Sequence, residues 1–258
     1  MNDIIPTDNN TIIGFPPFAL LEFDVFLSMI QQKLYYMAMA KVQKGEDPEA
    51  QVMYRLDIAL MSKLSGTPVR STKRSLLKVI PQLAEMNVKL RTSYVENDNL
   101  HMLFNIFQEI SIDLHDTNVI NVRFNYEFRK QILKMKKEHD IEYSAITIMG
   151  LKSRYSISIY TYLITEASLI KSRRGINDED AYNDNYKITV TKEKLFSRLN
   201  YNATVADFNR RILPEIIEEL NEYSELYVSK YNILRQGRTI EGYNFYFQYP
   251  NHHPKLHP

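Results

Sequence analysis

The side chains best suited to binding chemistry lie on a helix that the spacing of apolar residues predicts over residues 203 to 220. Its apolar side consists of Val205, Phe208, Ile212, Ile216 and Leu220. Its outward side, in the first half of the helix, consists of Thr204, Asp207, Arg210 and Arg211. An arginine fork can bond guanine O6 and N7 together, so this side predicts base reading in a major groove. Asp207 could accept a hydrogen bond from a cytosine or orient Arg211, one turn later on the helix. The plain alternative is that these two residues form only an exposed ion pair. Pro214 has no backbone N–H to donate, so we expect a kink in the helix at this residue.

A two-stranded ribbon with a basic tip is predicted after this helix. The tip reads Arg235-Gln236-Gly237-Arg238, and Gly237 permits the positive φ of a tight turn. Lys230 is the other charged residue of the ribbon before Glu241. The two arginines could straddle a phosphate or enter a minor groove, although an ordinary basic hairpin has the same pattern. A strand, a short helix, a turn, a longer helix and a ribbon, in this order, are the plan of a winged helix that binds duplex DNA.

A weaker copy of this plan lies earlier in the chain. A strand at 52 to 58 precedes a short helix that Gly66 ends, and a second helix is predicted over 71 to 84, bent or ended early by Pro81. Its outward residues suit phosphate contact better than base reading: Ser71, Arg74, Ser75 and Lys78. The sequence thus predicts an α+β fold of two tandem winged-helix domains, helix-rich with small antiparallel sheets, at residues 1 to 140 and 141 to 258.

Further elements are predicted around the first unit. They are a long helix over 18 to 43, alternating strands at 88 to 95, 100 to 114 and 119 to 126, and a basic helix at 127 to 139 that links the domains. The even-numbered face of the strand 100 to 114 is apolar, yet its other face carries Leu103 and Phe107. Because the solvated face of a sheet should be polar, either a second protomer or the first domain's own helices must cover these two residues.

Composition disfavours several function classes. The chain has no cysteine, and it contains no HExxH, CxxC or GxxxxGK[ST] motif, so neither a catalytic residue nor a cofactor or metal is predicted. His252, His253 and His257 could bind a stray metal, but a proline-flanked tail is the alternative reading. The net charge of +1 is distributed in local basic patches, which is typical of site-specific DNA binding. With neither a membrane span nor a signal peptide in the sequence, we expect a cytoplasmic protein.

Three segments resemble the replication initiators of iteron plasmids. They are LKSRYSISIYTYL at 151 to 163, FNRRILPEIIEELNEYSELYVS at 208 to 229 and GRTIEGYNFYF at 237 to 247, and the first half fits more loosely through LLKVIPQLAEMNVKL. The resemblance implies two winged-helix domains that bind double-stranded DNA. The second domain would read the sequence with Arg210 and Arg211, and the first domain would contact phosphates and form the dimer, with Leu103 and Phe107 in or beside the interface.

The resemblance also implies partners and an activity. Monomers, in equilibrium with homodimers, would bind direct repeats at an origin and melt nearby DNA with host replication proteins, with no role for a membrane. Dimers would bind an operator inverted repeat and repress the protein's own gene. One alternative is a transcription regulator without initiator activity, which the same helices would serve. Another is a rolling-circle nicking enzyme with a tyrosine nucleophile, which the lack of a histidine cluster disfavours.

Overall fold

The computed structural model describes residues 13–14, 21–23, 27–43, 45–90, 102–113, 116–138, 143–174 and 185–249. The chain divides into two compact units, Met1–Gly150 and Leu151–Pro258. This division lies on the C-terminal side of the expected boundary between residues 140 and 141, because the helix Ala145–Gly150 packs on helices of the first unit. In the described part of the chain, no helix is both long and apolar enough to cross a membrane.

The first unit combines a helix-turn-helix with small antiparallel sheets. In chain order its described elements are β1 (Ile13–Gly14), β2 (Leu21–Phe23), α1 (Met29–Lys41), β3 (Tyr54–Asp57), α2 (Ile58–Ser65), α3 (Val69–Ala84), β4 (Asn87–Leu90), β5 (Met102–Asn105), β6 (Phe107–Ile112), β7 (Val119–Phe124), α4 (Tyr126–Glu138), β8 (Tyr143–Ser144) and α5 (Ala145–Gly150). One sheet has the order β3-β7-β6, a second has the order β2-β4-β5, and β1 pairs with β8.

Local hydrogen bonds set the bounds of the first helix-turn-helix. The Asp57 carboxylate accepts from the backbone N–H of Ala59 at 2.6 Å, which starts α2, and Gly66 ends it at a φ of 63°. This confirms the expected stop at Gly66. The helix continues to Ala84, the expected last residue, so of the two effects expected of Pro81 the early end was wrong. Pro81 lies in an exposed part of the last turns, where the missing N–H affects a single helical bond.

The long helix predicted over 18 to 43 was wrong in its first part. Residues Leu21–Phe23 form β2, which pairs antiparallel with β4. In the backbone register, Leu21 pairs with Leu90 and Phe23 pairs with Val88. The helix begins only after Ser28, whose backbone N–H donates to the Gln31 side chain at 2.8 Å. Helical periodicity in the sequence did not exclude a strand here, because pairing with a distant strand decides the outcome.

The strand predicted over 100 to 114 is divided at Ile106 into β5 and β6, which belong to different sheets. The backbone of Ile106 changes partners at this point. Its N–H donates to the carbonyl of Met86 at 3.1 Å, and its carbonyl accepts from Asn125 at 2.9 Å. The break shifts the alternation of the two faces, and buried Ile106 and Phe107 follow each other directly.

One of the basic side chains of α4 is buried. Arg129 is only 2% exposed, and its guanidinium donates to the Tyr54 hydroxyl at 2.9 Å, to the carbonyls of Asp47 and Ala50 at 2.9 Å each, and to the Glu46 carboxylate. Burial raises the pKa of Tyr54 well above its ordinary value. Arg129 therefore ties the loop after α1 to β3 and α4, and it is not available to DNA.

The second unit follows the winged-helix plan. Its described elements are α6 (Arg154–Arg174), β9 (Asn185–Thr191), α7 (Lys192–Leu199), α8 (Val205–Asp207), a π-helical turn (Phe208–Ile212), α9 (Leu213–Tyr223), β10 (Tyr227–Gln236) and β11 (Thr239–Gln248). Its sheet order, β10-β11-β9, corresponds to β6-β7-β3 of the first unit. The predicted fold of two tandem winged helices is confirmed.

Candidate nucleic-acid interface

The recognition helix of the second unit comprises α8, the π-helical turn and α9, that is, residues 205–223. Asn200 ends α7 in the left-handed conformation at a φ of 46°. The Thr204 side-chain oxygen then accepts from the backbone N–H of Asp207 at 3.1 Å and starts the new helix. Thr204, a predicted DNA contact, thus has a capping role that leaves its hydroxyl hydrogen free to donate outward.

The π-helical turn changes which residues face the core. The Leu213 N–H donates to the carbonyl of Phe208, five residues back, and Pro214 follows with no N–H of its own. One extra residue in this turn makes Leu213 the next buried position after Phe208, whereas Ile212 is half-buried. Ile212, predicted on the inner side, is thus only half-buried, and the kink expected at Pro214 takes the form of a π-helical turn.

Arg211 is held in a defined orientation by Asp207. Its Nε lies 2.8 Å from Asp207 Oδ1, and its Nη2 donates to Asp207 Oδ2 at 3.2 Å. The Arg211 side chain remains 61% exposed, and one of its five N–H groups donates in this hydrogen bond. The contact expected between Asp207 and Arg211 is present, and it is equally the exposed ion pair one turn apart that was the plain alternative. Arg210 is held less closely, with its Nη2 at 3.9 Å from Asp207 Oδ1.

Tyr201 and Tyr243 support this arrangement, and sequence reasoning missed both. The Tyr201 hydroxyl donates to Asp207 Oδ2 at 3.2 Å, and its ring packs against Phe208 with centroids 5.1 Å apart. The Tyr243 hydroxyl donates to Asn209 Oδ1 at 2.9 Å, which attaches the π-helical turn to β11. Burial, followed by the bond to Asp207, raises the pKa of Tyr201. Burial raises that of Tyr243 to about 12, so both phenols remain hydrogen-bond donors at neutral pH. Their pairing across the fold left no local signal in the sequence.

The second half of the recognition helix has the opposite charge. Its acidic residues are Glu215, Glu218, Glu219 and Glu222. Glu219 accepts from the backbone N–H of Lys152 and from the Ser156 hydroxyl, so it anchors α9 to the start of α6. A phosphate backbone would be attracted to the arginine end of the helix and repelled by the glutamate end. This polarity supports contact with DNA through the first half.

The wing is the hairpin of β10 and β11. Gln236 pairs with Thr239, which leaves a two-residue loop of Gly237 and Arg238. Gly237 has a φ of 59°, a value that suits the first loop position of a type II′ turn. Arg235 and Arg238 are exposed at this tip, as predicted. Lys230 is exposed farther along β10, with its Nζ 6.0 Å from the centre of the Tyr246 ring.

The hairpin is fixed to β9 by a close approach at Gly242. A Cβ atom at this position would lie 2.3 Å from the carbonyl oxygen of Val190. Gly242 pairs with Thr191 at the edge of the wing, so only a glycine lets the two backbones come this close. The basic tip is thereby held at one end of a rigid sheet.

The outer face of α3 in the first unit carries the predicted phosphate contacts. Ser71, Arg74, Ser75 and Lys78 are all exposed, and Thr72, Leu76 and Leu83 bury the opposite side. Within the described residues, neither Arg74 nor Lys78 has an ion-pair partner. The structure therefore leaves both cations accessible to an external anion.

Two family models match the chain. The first, described as Initiator Replication protein, WH1, covers residues 18–164, and the second, described as Initiator Rep protein, WH2, covers residues 187–247. The chain belongs to the family of replication initiator proteins. This confirms the resemblance that the sequence motifs indicated.

A solved structure of another initiator has a similar fold. The crystal structure of Pi initiator protein in complex with iteron DNA matches with a TM-score of 0.63 and 17% sequence identity, and the match covers 93% of this chain and 98% of that chain. At this identity the likeness shows the fold, and it supports the two winged helices of the initiator family. No curated protein matches the chain.

One premise of the predicted dimer interface was wrong. Phe107 is 2% exposed within its own chain, where its ring stacks on Phe124 with centroids 5.2 Å apart. The first unit thus covers Phe107 itself, and a second protomer is not needed for this purpose. The backbone of Leu103 pairs with Lys89, but its side chain lies outside the described residues.

The histidines considered as metal ligands, His252, His253 and His257, also lie outside the described residues. Among the residues that the structure does describe, no group of three or more His, Asp or Glu side chains is placed to hold a metal ion. The candidate interface on the recognition helix, the wing and α3 carries cations, hydroxyls and the paired Arg211, which are groups that bind phosphates and base edges.

Proposed function

We propose that this initiator starts plasmid replication in the cytoplasm by binding repeated sites on double-stranded origin DNA. The observation that carries the proposal is the hydrogen-bonded ion pair of Asp207 and Arg211 at the exposed start of the recognition helix. An arginine whose fork is already oriented can bond a guanine edge with little further loss of freedom. The similar Pi initiator was crystallised with iteron DNA, which supports repeated sites as the ligand.

The two units have different roles in this proposal. Arg210 and Arg211 read bases from the second unit, with Thr204 and Asp207 beside them, and Lys230, Arg235 and Arg238 attract the phosphates that flank the wing. In the first unit, Ser71, Arg74, Ser75 and Lys78 of α3 contact the backbone of the same duplex. Phosphate contacts supply attraction without sequence information, whereas the arginine forks supply specificity.

Assembly and regulation form the second part of the proposal. A monomer in equilibrium with a homodimer binds direct repeats, and the dimer binds an operator inverted repeat and represses the protein's own gene. Host replication proteins then act on the melted origin. These roles are supported by family membership. Leu103 of β5 stays the proposed interface residue, and Phe107 does not, because its own unit buries it.

The DNA that flanks the gene is first sequenced and searched for direct and inverted repeats. The full-length protein is titrated against duplexes that carry its direct repeats, its inverted repeats, or scrambled sequences of equal composition. A plasmid that carries the repeats is then tested for replication with the protein supplied in trans. We expect tight binding to direct repeats and replication that Arg211→Ala abolishes. Binding to a lone inverted repeat, with repression but no replication, would instead identify a transcription regulator.

A nicking assay tests the enzyme alternative. Supercoiled origin DNA is incubated with the protein and Mg²⁺ or Mn²⁺, and the products are separated under denaturing conditions. We expect the DNA to remain intact. Nicked DNA with protein attached to one end would contradict the proposal and identify a tyrosine nucleophile.

A further inference from the structure

The outer face of α3 has an apolar side chain among its cations. Within the described part of the chain, four large apolar side chains are exposed, and two of them, Val69 at 39% and Leu77 at 48%, lie on α3. Leu77 is the most exposed of the four. Thr72 and Leu76 bury the other side of this helix in its own unit. The exposed Leu77 side chain contributes little to folding, so it is available for contact with a ligand.

The position of Leu77 on the helix indicates the kind of ligand. It lies three residues after Arg74 and next to Lys78, and Arg70 is two turns earlier on the same side. The segment between Asp57 and Glu85 contains no acidic residue. An apolar protein surface at this face would have to bury these cations without partners, which is costly. A DNA duplex offers phosphates for the cations and an apolar group in the groove between them.

We propose that Leu77 contacts the C5-methyl group of a thymine, so that α3 reads sequence as well as binding phosphates. This inference rests on the proposed function. The methyl group is the apolar feature that marks an A·T pair in the major groove, and side chains without polar groups recognise it by contact. A groove about 12 Å wide admits a helix, and the cations beside Leu77 would reach the phosphates along one wall of the groove.

The experiment removes the methyl group from the DNA and the side chain from the protein. The full-length protein selects its duplex from a random-sequence pool, and each thymine of that duplex is replaced in turn by deoxyuridine. Binding is measured for the wild type, Leu77→Ala and the matched control Met29→Ala, which removes an apolar side chain that is 36% exposed on α1 of the same unit. Arg74→Ala is the phosphate-contact control.

We expect the wild type to lose about four-fold in affinity at one thymine, the factor that corresponds to about 0.8 kcal/mol for one buried methyl group. Leu77→Ala should bind the thymine and deoxyuridine duplexes equally at that position and keep any other sensitive position. Met29→Ala and Arg74→Ala should keep the full wild-type profile, although Arg74→Ala weakens binding to every duplex.

Two results would overturn the inference while leaving the proposed function intact. One is a deoxyuridine profile of Leu77→Ala equal to that of the wild type. The other is unchanged DNA binding by Leu77→Ala together with a changed sedimentation coefficient, which would assign Leu77 to a protein interface. If the wild type selects no duplex at all, both the proposed function and the inference fail.

Discussion

The Asp207–Arg211 pair provides the most direct test of how this fold reads DNA. Asp207→Asn keeps the size of the side chain, but it removes the charge and one of the two acceptors, now at 2.8 and 3.2 Å from Arg211. The pair is partly exposed, with 61% of the Arg211 side chain and 24% of the Asp207 side chain accessible. Its loss, together with the loss of an acid in the first helical turn, should lower the free energy of unfolding by about 0.5–1 kcal/mol. The protein therefore stays folded.

The effect on binding should be larger and depend on the DNA. Without Asp207 the Arg211 fork must be ordered when it binds, at about 0.5–1.5 kcal/mol for one flexible side chain. Affinity for the specific duplex should then fall about 2- to 13-fold. Affinity for random duplex should not fall, because the substitution removes a negative charge near the phosphates. Arg211→Ala itself should cost about 1–3 kcal/mol at the specific site.

Fluorescence anisotropy with specific and random duplexes, at two salt concentrations, measures both quantities. A double-mutant cycle then asks whether Asp207 acts through Arg211. In the Arg211→Ala background, Asp207→Asn should not weaken specific binding. Glu215→Gln is the matched control, because it removes an exposed acid from the same helix without a contact to Arg211. An equal loss on specific and random DNA, or an undiminished effect of Asp207→Asn without Arg211, would refute the reasoning.

Three further predictions concern the wing and the core. Gly242→Ala should lower the free energy of unfolding by about 1–3 kcal/mol, because its Cβ would lie 2.3 Å from the Val190 carbonyl oxygen. Urea denaturation measures this loss. Unchanged stability would show that β9 can move to make room for the added methyl group. Arg129→Ala should cost about 3–5 kcal/mol in the same assay, whereas Lys130→Ala, an exposed control on the next residue, should change little. Arg238→Ala should reduce the slope of log K against log salt by about one, and an unchanged slope would place the wing tip away from phosphates.

Short-range interactions explain why much of the second unit could be predicted from the sequence. Thr204 caps a helix through an N–H three residues away, Gly237 supplies the φ of a two-residue turn, and β9 alternates buried and exposed side chains. In the first unit, Gly66 ends α2 by the same kind of local rule. Each of these features depends on a few consecutive residues, so their chemistry is visible in the printed sequence. The contact between Asp207 and Arg211 in the candidate site could also be predicted, because residues four apart on one helix are neighbours.

Two of the errors occurred where a distant segment decides the outcome, and a third where the helix period changes locally. Residues 21–23 became a strand because β4 offered a partner, and the change of partners at Ile106 divided a strand that alternates without a break in the sequence. The π-helical turn moved the buried position from Ile212 to Leu213, since a wheel with a constant 3.6-residue period has no place for an extra residue.

Tertiary packing also decided which polar groups belong to the site. The sequence identified Arg129 as one of several basic residues, yet long-range bonds to Tyr54 and Glu46 make it structural. The long-range bond from Tyr243 to Asn209 positions the recognition helix in a way that no local pattern indicates. The sequence by itself thus determined the two winged helices and the charged face that we propose reads DNA, because both follow from interactions within a few residues. Only the tertiary structure decided the burial of Arg129 and of Phe107, because these depend on groups brought together from distant parts of the chain.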